Sequence, residues 1–306
     1  MTPPDVIVCV KQAVAIDGTL SLSSDERALS PGSYRAVPNM GDTFALEQAL
    51  RLREDGLVRS VICLTAGLPD GVAMLTLALA MGADRTVRID VDPNLIDELG
   101  TGVLLAAAIR QLGGSLVFTA QRSDDGASGI VPAAIARSLG AAYLSNSAAV
   151  RLAGMQVEVE RKLERGNRQV WRARLPAVVA VEPNTLLPRY ASVASLILAR
   201  RREVSILTST ALAVDLASLP RLTELQRLST PRRRPKKTVA PPVAAKVPGT
   251  AAARRPMAMG AIGGGSSSSK DKKVVTGSPE AIATAFIELL IEREIFPKGG
   301  SSGIGG

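Results

Sequence analysis

Short runs of aliphatic and β-branched residues recur along the first two thirds of the chain, and longer stretches with apolar residues at helical spacing separate them. Runs of the first kind are typical of strands buried on both faces, and stretches of the second kind are typical of helices that pack on a sheet. Their alternation predicts right-handed crossovers and an α/β fold with a doubly wound, mostly parallel sheet. The predicted strands are 6–10, 60–65, 85–89 and 116–119, and the predicted helices between them are 42–54, 70–81 and 95–112.

The periodicity changes after a further predicted helix at 129–139. Apolar and polar residues then alternate, with turns at Gly154-Met155 and Gly166-Asn167, and this pattern predicts a small antiparallel excursion from the sheet. A last buried strand, a loop and a helix follow, and we expect the compact domain, 1–206, to end near Ile206. The alternating segments are 150–153, 156–164 and 169–175, and the elements after them are the strand 177–181, the loop 183–190 and the helix 193–200.

The last third of the chain differs in composition. Residues 207–277 form a linker or arm: 207–228 has moderate helical character, and the remainder is rich first in Pro, Ala, Arg and Lys and then in Gly and Ser. An amphipathic helix is predicted at 278–296, with Ser278 as its cap and Pro279 at its first position. We expect its apolar face to pack on a partner subunit, and we expect a disordered tail at 297–306.

The composition limits the catalytic and metal-binding functions that the chain could have. The chain contains no histidine, which removes the commonest general acid–base group and zinc ligand, so that a self-sufficient hydrolase is disfavoured. Cys9 and Cys63 lie inside apolar runs and are predicted to be buried hydrophobes rather than metal ligands. The apolar runs are too short to cross a membrane, and the protein is expected to be cytoplasmic. Much of the net charge of +9 lies in basic runs without interleaved aromatics, which argues against nucleic acid as a partner.

A loop rich in small residues follows the strand 116–119. Gly126 and Gly129 would allow a close approach of the backbone, Ser128 offers a hydroxyl, and the amides that open the next helix favour an anion. The segment 123–132 therefore resembles a phosphate cradle, although the pattern alone also fits an ordinary capped turn.

Several longer stretches resemble the β subunit of electron transfer flavoprotein, including its FixA-type members. The opening VIVCVKQ resembles the first strand of that family, and the stretch from Asn39 to Leu52 resembles the start of its first helix. LALAMGADR at 77–85 is the most specific match, and LPAVVAVEPNTLLPRYASV at 175–193 and the tail VVTGSPEAIATAFIELL are also similar. The chain departs from the family at Met40, where proline is usual, at Pro132, where glycine is common, and in a loop with fewer acidic residues.

The resemblance implies an adenine-nucleotide-binding, Rossmann-like domain without a catalytic centre of its own. The family's β subunit pairs with an α subunit that carries the redox FAD, and it buries AMP, or a second FAD in bifurcating members. Asn39 alone is more typical of a helix cap, and Ala66-Gly67 alone of a turn. The residues implied to contact the nucleotide are Cys9, Val10, Lys11, Asn39, Ala66, Gly67, Asp125, Gly126, Ser128, Gly129, Ile130 and Val131.

The same resemblance implies partners. Val193 and Leu196 would belong to a docking segment for dehydrogenases of the acyl-CoA type, although both could equally be core residues, and electrons would pass on to a quinone reductase or a nitrogenase-linked acceptor. Two alternatives remain open: a bifurcating subunit that binds a second FAD and NADH, and a nucleotide-sensing regulatory module without redox chemistry. A nucleic-acid binder that uses the basic arm ranks last.

Overall fold

The computed structural model describes residues 3–183, 186–230 and 278–292. Within these residues the chain forms eleven strands and six α-helices. The strands are β1 (Val6–Cys9), β2 (Gln12–Ile16), β3 (Tyr34–Pro38), β4 (Val61–Gly67), β5 (Arg85–Asp90), β6 (Leu116–Ala120), β7 (Ala142–Ala153), β8 (Gln156–Lys162), β9 (Arg168–Arg174), β10 (Ala177–Val181) and β11 (Ser205–Thr208). The helices are α1 (Met40–Glu54), α2 (Val72–Met81), α3 (Glu98–Leu112), α4 (Ile130–Leu139), α5 (Val193–Ala199) and α6 (Pro279–Glu292).

A nine-stranded sheet organises the first part of the chain. Its order is β11-β5-β4-β1-β6-β10-β7-β8-β9, and a separate antiparallel pair consists of β2 and β3. Pairing is parallel from β11 to β7, and β8 and β9 then add antiparallel strands at one edge. These observations confirm the predicted α/β class, the mostly parallel sheet and the antiparallel excursion.

Helices cover both faces of the sheet. Alternate residues of β1 point to opposite sides: Val6 and Val8 join the core under α1 and α2, while Ile7 and Cys9 join the core under α3 and α4. Every residue of β1, β6 and β10 is buried. A strand enclosed on both faces needs an unbroken apolar sequence, which is why these strands could be predicted from short aliphatic runs.

Two predicted helices begin later than their apolar spacing suggests. The segment 69–71 is a 3₁₀ turn, so α2 begins at Val72. The helix predicted from residue 95 begins at Glu98, because the Asp97 carboxylate accepts a hydrogen bond of 2.9 Å from the amide of Gly100. A side-chain cap of this kind fixes the start of a helix more firmly than its hydrophobic spacing does.

The helical character predicted for 207–228 is wrong. The expected domain limit at Ile206 falls inside β11, which pairs in parallel with β5 at the edge of the sheet. A single 3₁₀ turn, Leu216–Ser218, follows in this stretch, and Leu219 is buried. Pro220 interrupts any continuing helix, and the Asp97 carboxylate accepts the amide of Thr223 at 3.0 Å. This stretch therefore belongs to the same compact unit as the sheet.

Helix α6 lies in a second unit of the chain. Ser278 caps it, as predicted, because its hydroxyl accepts the amide of Ala281 at 3.3 Å. The helix is described as far as Glu292, and the rest of the prediction to residue 296 lies outside the described residues, as do the linker 231–277 and the tail 297–306. No helix in the described part of the chain combines the length and apolarity that a bilayer crossing requires.

Candidate functional site

The order of the strands creates a crevice at the carboxyl ends of β1 and β6. The chain runs from β1 to β4 and β5 on one side, and then returns to β6 and β10 on the other side of β1. The connections that leave these strands therefore diverge between β1 and β6. In open parallel sheets, ligands bind outside the strand ends at such a switch point.

The peptide that follows β1 is held by the first turn of α1. The backbone amide of Lys11 donates to the Asp42 carboxylate at 2.7 Å, and Val10 pairs with the carbonyl of Leu64 at 2.9 Å. Asp42 is 4% exposed, and its burial raises its pKa to about 7 against the opposing hydrogen bond from Lys11. The predicted contact residues Cys9 and Val10 are buried, and Lys11 is half-buried.

Asn39 joins this peptide to the phosphate-cradle loop. The backbone amide of Asn39 donates to the carbonyl of Lys11 at 3.2 Å. Its side-chain oxygen accepts a hydrogen bond of 2.9 Å from the backbone amide of Asp124. Asn39 occupies the cap position of α1, but its side chain does not cap that helix. The Asp124 carboxylate accepts the amide of Met40 at 2.9 Å instead. The side chain of Asn39 therefore holds the loop, while its backbone amide holds the peptide after β1.

Gly41 allows the end of β6 to approach α1. A β-carbon on Gly41 would lie 2.8 Å from the β-carbon of Ala120, a separation too short for two carbon atoms. The prediction did not include Gly41, although a glycine in the first turn of a helix is a usable signal for close packing.

Asp125 anchors the cradle loop to Lys11, which follows β1, and to β2. The ammonium of Lys11 donates to the two carboxylate oxygens of Asp125, at 2.8 Å and 2.9 Å. The backbone amide of Val14 donates to one of them at 3.3 Å. Burial opposes ionisation, but the hydrogen bonds from Lys11 and Ser123 outweigh it and bring the pKa of Asp125 to about 2. Asp125 is therefore a charged structural tie in this arrangement.

The start of α4 presents the features of an anion cradle. Gly129 precedes the helix in a left-handed conformation with φ of 67°, and no side chain caps the first turn. A β-carbon on Gly129 would lie 3.2 Å from the carbonyl oxygen of Gln121, so the loop closes tightly at this point. Ser128 is exposed and Gly126 lies in the same loop, while Ile130 and Val131 open the helix and are half-buried. Uncapped amides at a helix start favour negative charge.

The structure thus brings most of the predicted contact residues together. Lys11, Asn39 and Asp125 are linked by the hydrogen bonds described above, and the loop 126–131 continues from them. Ala66 and Gly67 end β4 beside β1, where the carbonyl of Gly67 accepts a 2.7 Å hydrogen bond from Arg88. Arg88 is 4% exposed and was not predicted to lie at this edge.

A cavity of about 480 Å³ opens on the other side of the cradle loop. It lies beyond the carboxyl ends of β6 and β10 and beside Asn146 of β7, whose backbone amide donates to the side-chain oxygen of Gln121 at 2.8 Å. No local pattern could have predicted it, because its walls come from four separated segments. The lining residues are Gln121, Arg122, Ala127, Ser128, Gly129, Asn146, Lys162, Glu182 and Pro183. No group of side chains suited to hold a metal ion occurs among the described residues.

A second surface of interest is the segment 186–199, which includes α5. Val193 is 75% exposed and Tyr190 is 93% exposed, whereas Leu196, the other predicted docking residue, is half-buried. Ile197 and Leu198 are also exposed. Of the predicted docking pair, Val193 is therefore exposed and Leu196 is half-buried, and the neighbouring exposed apolar residues are Tyr190, Ile197 and Leu198.

Comparisons with known proteins support the resemblance found in the sequence. A family model described as "Electron transfer flavoprotein domain" matches residues 33–212. The electron transfer flavoprotein subunit beta of Mycobacterium leprae (strain TN) is 32% identical over 217 residues, which cover 69% of this chain and 81% of the relative. Protein FixA of Azorhizobium caulinodans is 34% identical over 210 residues, with coverage of 66% and 74%. The Homo sapiens subunit beta is 27% identical over 216 residues, with coverage of 70% and 84%.

Proposed function

The chain belongs to the electron transfer flavoprotein family as a β subunit, and we propose that it forms one half of an αβ heterodimer whose FAD is carried mainly by the α subunit. When bound, the flavin supplies the redox chemistry by accepting and releasing electrons. The β chain supplies a rigid domain, a nucleotide site and contact surfaces. The absence of histidine from the sequence fits this division of roles.

The observation that carries this proposal is the crevice at the switch point. Three independent segments meet there through Lys11, Asn39 and Asp125, and the uncapped start of α4 lies at the end of the same loop. This arrangement fits an adenine nucleotide with its phosphate at the helix start. We propose AMP as the occupant.

The proposed contacts follow the segments in order. The backbone from Cys9 to Lys11, together with Asn39 and the end of β4 at Ala66 and Gly67, would surround the adenosine. The loop from Asp125 and Gly126 through Ser128, Gly129, Ile130 and Val131 would surround the phosphate. Because Asp125 already neutralises Lys11, backbone amides and the Ser128 hydroxyl are the donors proposed for the phosphate.

A second FAD in place of AMP is the second candidate, and the cavity beside the loop favours it. A volume of about 480 Å³ lies within the size range of small-molecule sites and adjoins Ser128 and Gly129. A dinucleotide could extend into this space beyond its first phosphate. Such a subunit would belong to the bifurcating type, which also uses NADH.

We propose that the exposed apolar residues of 186–199 dock an acyl-CoA dehydrogenase type of donor, and that the acceptor is a quinone reductase or a similar protein. Val193 and Tyr190 would insert into the partner, and Arg200 and Arg201, which are exposed, would steer the encounter by charge. A small apolar anchor with a charged rim is suited to a transient redox complex.

Helix α6 is proposed to pack on the α subunit. Ile282 and Phe286 are exposed one turn apart on the same side of it, and a helix of 14 residues is marginal in water without a packing partner.

The nucleotide site can be tested with two matched glycine variants. In Gly129→Ala and Gly154→Ala the new side chain meets a left-handed backbone, with φ of 67° and 59° respectively. Both changes carry a backbone cost of about 1 kcal/mol. The β-carbon at position 129 also crowds the carbonyl of Gln121, whereas the one at position 154 has open space within 4 Å.

The heterodimers are purified with each variant, and the nucleotide released by denaturation is quantified by mass spectrometry. We expect Gly129→Ala to lose most of its AMP and Gly154→Ala to retain wild-type occupancy. Equal occupancy in the two variants would remove the cradle loop from the proposed site.

A further inference from the structure

Burial does not fix the segment 186–199. Within α5, Ala199 is the buried residue, and the apolar side chains before it are half-buried or exposed. Segments with little buried apolar area open easily unless polar contacts hold them. A docking surface made from this segment therefore needs another source of rigidity.

Arg189 supplies such contacts at the start of the segment. Its guanidinium donates to the two carboxylate oxygens of Glu47 at 2.8 Å and 3.0 Å, and to Glu54 at 3.1 Å. Its backbone amide also donates to Glu47 at 3.2 Å. One residue is thus joined to two turns of α1 through both its backbone and its side chain.

The partner carboxylate makes this tie strong. The side chain of Glu47 is 3% exposed, while that of Arg189 is 31% exposed. Burial opposes the ionisation of Glu47, but hydrogen bonds from Arg189 and Arg51 outweigh it and lower the pKa of Glu47. The hydrogen bonds from Glu47 and Glu54 raise the pKa of Arg189, so both partners stay charged. Bidentate pairs of this type fix orientation as well as distance.

A second hydrogen bond holds the chain just after the end of the segment 186–199. The guanidinium of Arg202 donates to the carbonyl of Asp84 at 2.6 Å, three residues after α5 ends. Between the two arginines lie Tyr190 and Val193, which are the most exposed apolar side chains of the stretch. Arg189 is the immediate neighbour of Tyr190 and therefore determines where its backbone lies.

We propose that Arg189 is a positioning residue that holds the segment 186–199 on α1 in the conformation that docks the electron-donating partner. The inference rests on the docking role proposed above. Arg189 acts by reducing the conformational freedom that the segment would lose on binding, and preorganisation of this kind improves affinity without adding a contact.

Four variants separate positioning from stability. Arg189→Met removes the tie, and Arg189→Lys keeps the charge but cannot bridge both carboxylates. Arg51→Met is the matched control, because Arg51 also pairs with Glu47, at 3.0 Å, yet lies on α1 itself. The double variant Glu47→Gln with Arg189→Met removes the buried charge left by the first change while leaving the segment untied.

The measurements use the intact heterodimer. Amide hydrogen exchange reports on peptides that cover 186–199, and flavin content and thermal stability are recorded in parallel. Steady-state reduction by an acyl-CoA dehydrogenase and its substrate gives the apparent KM for the heterodimer and the kcat. A purely structural ion pair would change stability without a specific change in KM.

We expect faster exchange in 186–199 for Arg189→Met, with an apparent KM about 10-fold higher and an unchanged kcat and flavin content. The double variant should recover stability but retain the high KM, Arg189→Lys should be intermediate, and Arg51→Met should match wild type.

Unchanged exchange or KM in Arg189→Met would overturn the inference, as would recovery of the wild-type KM in the double variant or an equal rise in KM in Arg51→Met. If wild type accepts no electrons from the dehydrogenase, the proposed donor class fails, and the exchange rates alone then decide whether Arg189 positions the segment.

Discussion

The start of α1 is capped by Asp124 rather than by Asn39, the residue at the cap position. Asn39 stands at the cap position of α1, where its side chain would ordinarily accept from that helix. Instead, its oxygen accepts the amide of Asp124, and the carboxylate of Asp124 accepts the amide of Met40 from 84 positions away in the chain. Local patterns identify a residue that can accept a hydrogen bond, but they do not say which donor the fold will bring to it.

The buried Asp42 gives a pH dependence that can be measured. Its folded-state pKa is raised from an ordinary 3.8 to about 7 by burial, so the folded state holds a proton that the unfolded state has already lost. Its contribution to stability is therefore complete below about pH 4 and declines as the pH rises to 7.

The variant Asp42→Asn keeps an oxygen for the amide of Lys11 but does not titrate. From pH 5 to pH 8 we expect the free energy of unfolding of wild type to fall by roughly 2 kcal/mol relative to Asp42→Asn. Urea unfolding of both chains at the two pH values provides the comparison. A constant difference between them would show that Asp42 does not titrate in this range.

At the scale of elements, predictability follows burial. Strands β1, β6 and β10 were predicted because both of their faces are apolar. The antiparallel pair of β2 and β3 was missed. Ala13 to Ile16 form a short apolar run, but most residues of the pair are half-buried or exposed, so its pattern is not that of a strand enclosed on both faces.

The moderate helical character wrongly expected after Ile206 has a related cause. Leu207 in β11, and Leu212 and Leu216 in the segment after it, pack individually against the core under α3 and α4. Leucines at such intervals mimic helical spacing when each one merely returns to the same face. Edge strands and surface segments of this kind depend on tertiary contacts that a local pattern does not record.

Helices α3 and α4 approach each other closely at Gly102, where there is no room for a side chain. A β-carbon on Gly102 would lie 2.4 Å from the β-carbon of Ala134. We expect Gly102→Ala to force the helices apart and to lower the free energy of unfolding by about 1–3 kcal/mol.

The control is Gly71→Ala, because a β-carbon on Gly71 would meet no other atom within 4 Å and the φ of this residue is −66°. It should change stability by less than about 1 kcal/mol. Comparable losses in the two variants, measured by chemical denaturation, would contradict a specific contact between α3 and α4.

For the whole molecule, the fold class and the switch-point crevice could be predicted because they follow from the order of strands and helices. The cavity beside the cradle loop could not, because Asn146 and Lys162 lie on an excursion whose register depends on bulges in β7. The sequence identified the loop that we propose carries the site, and the fold determined which other segments lie beside it.

Assembly with the α subunit can be tested through α6. Phe286→Asp places a charge on the proposed contact face, where Phe286 is 60% exposed. We expect the heterodimer to weaken by about 2 kcal/mol, which corresponds to roughly 30-fold in Kd.

Thr284→Asp introduces the same charge two positions earlier, on the opposite side of the helix, and should leave the Kd unchanged. The dissociation constants are measured by titrating each chain with the purified α subunit. Equal weakening by the two variants would argue against a face-specific contact.

The central claim is most directly tested by counting the nucleotides of the heterodimer purified after expression of this chain with its α subunit. Mass spectrometry of the released small molecules, calibrated against protein concentration, gives the ratio. The account predicts one FAD and one AMP per heterodimer. Two FAD molecules and no AMP would assign the crevice to a second flavin, and one FAD without any further adenine nucleotide would contradict the nucleotide site itself.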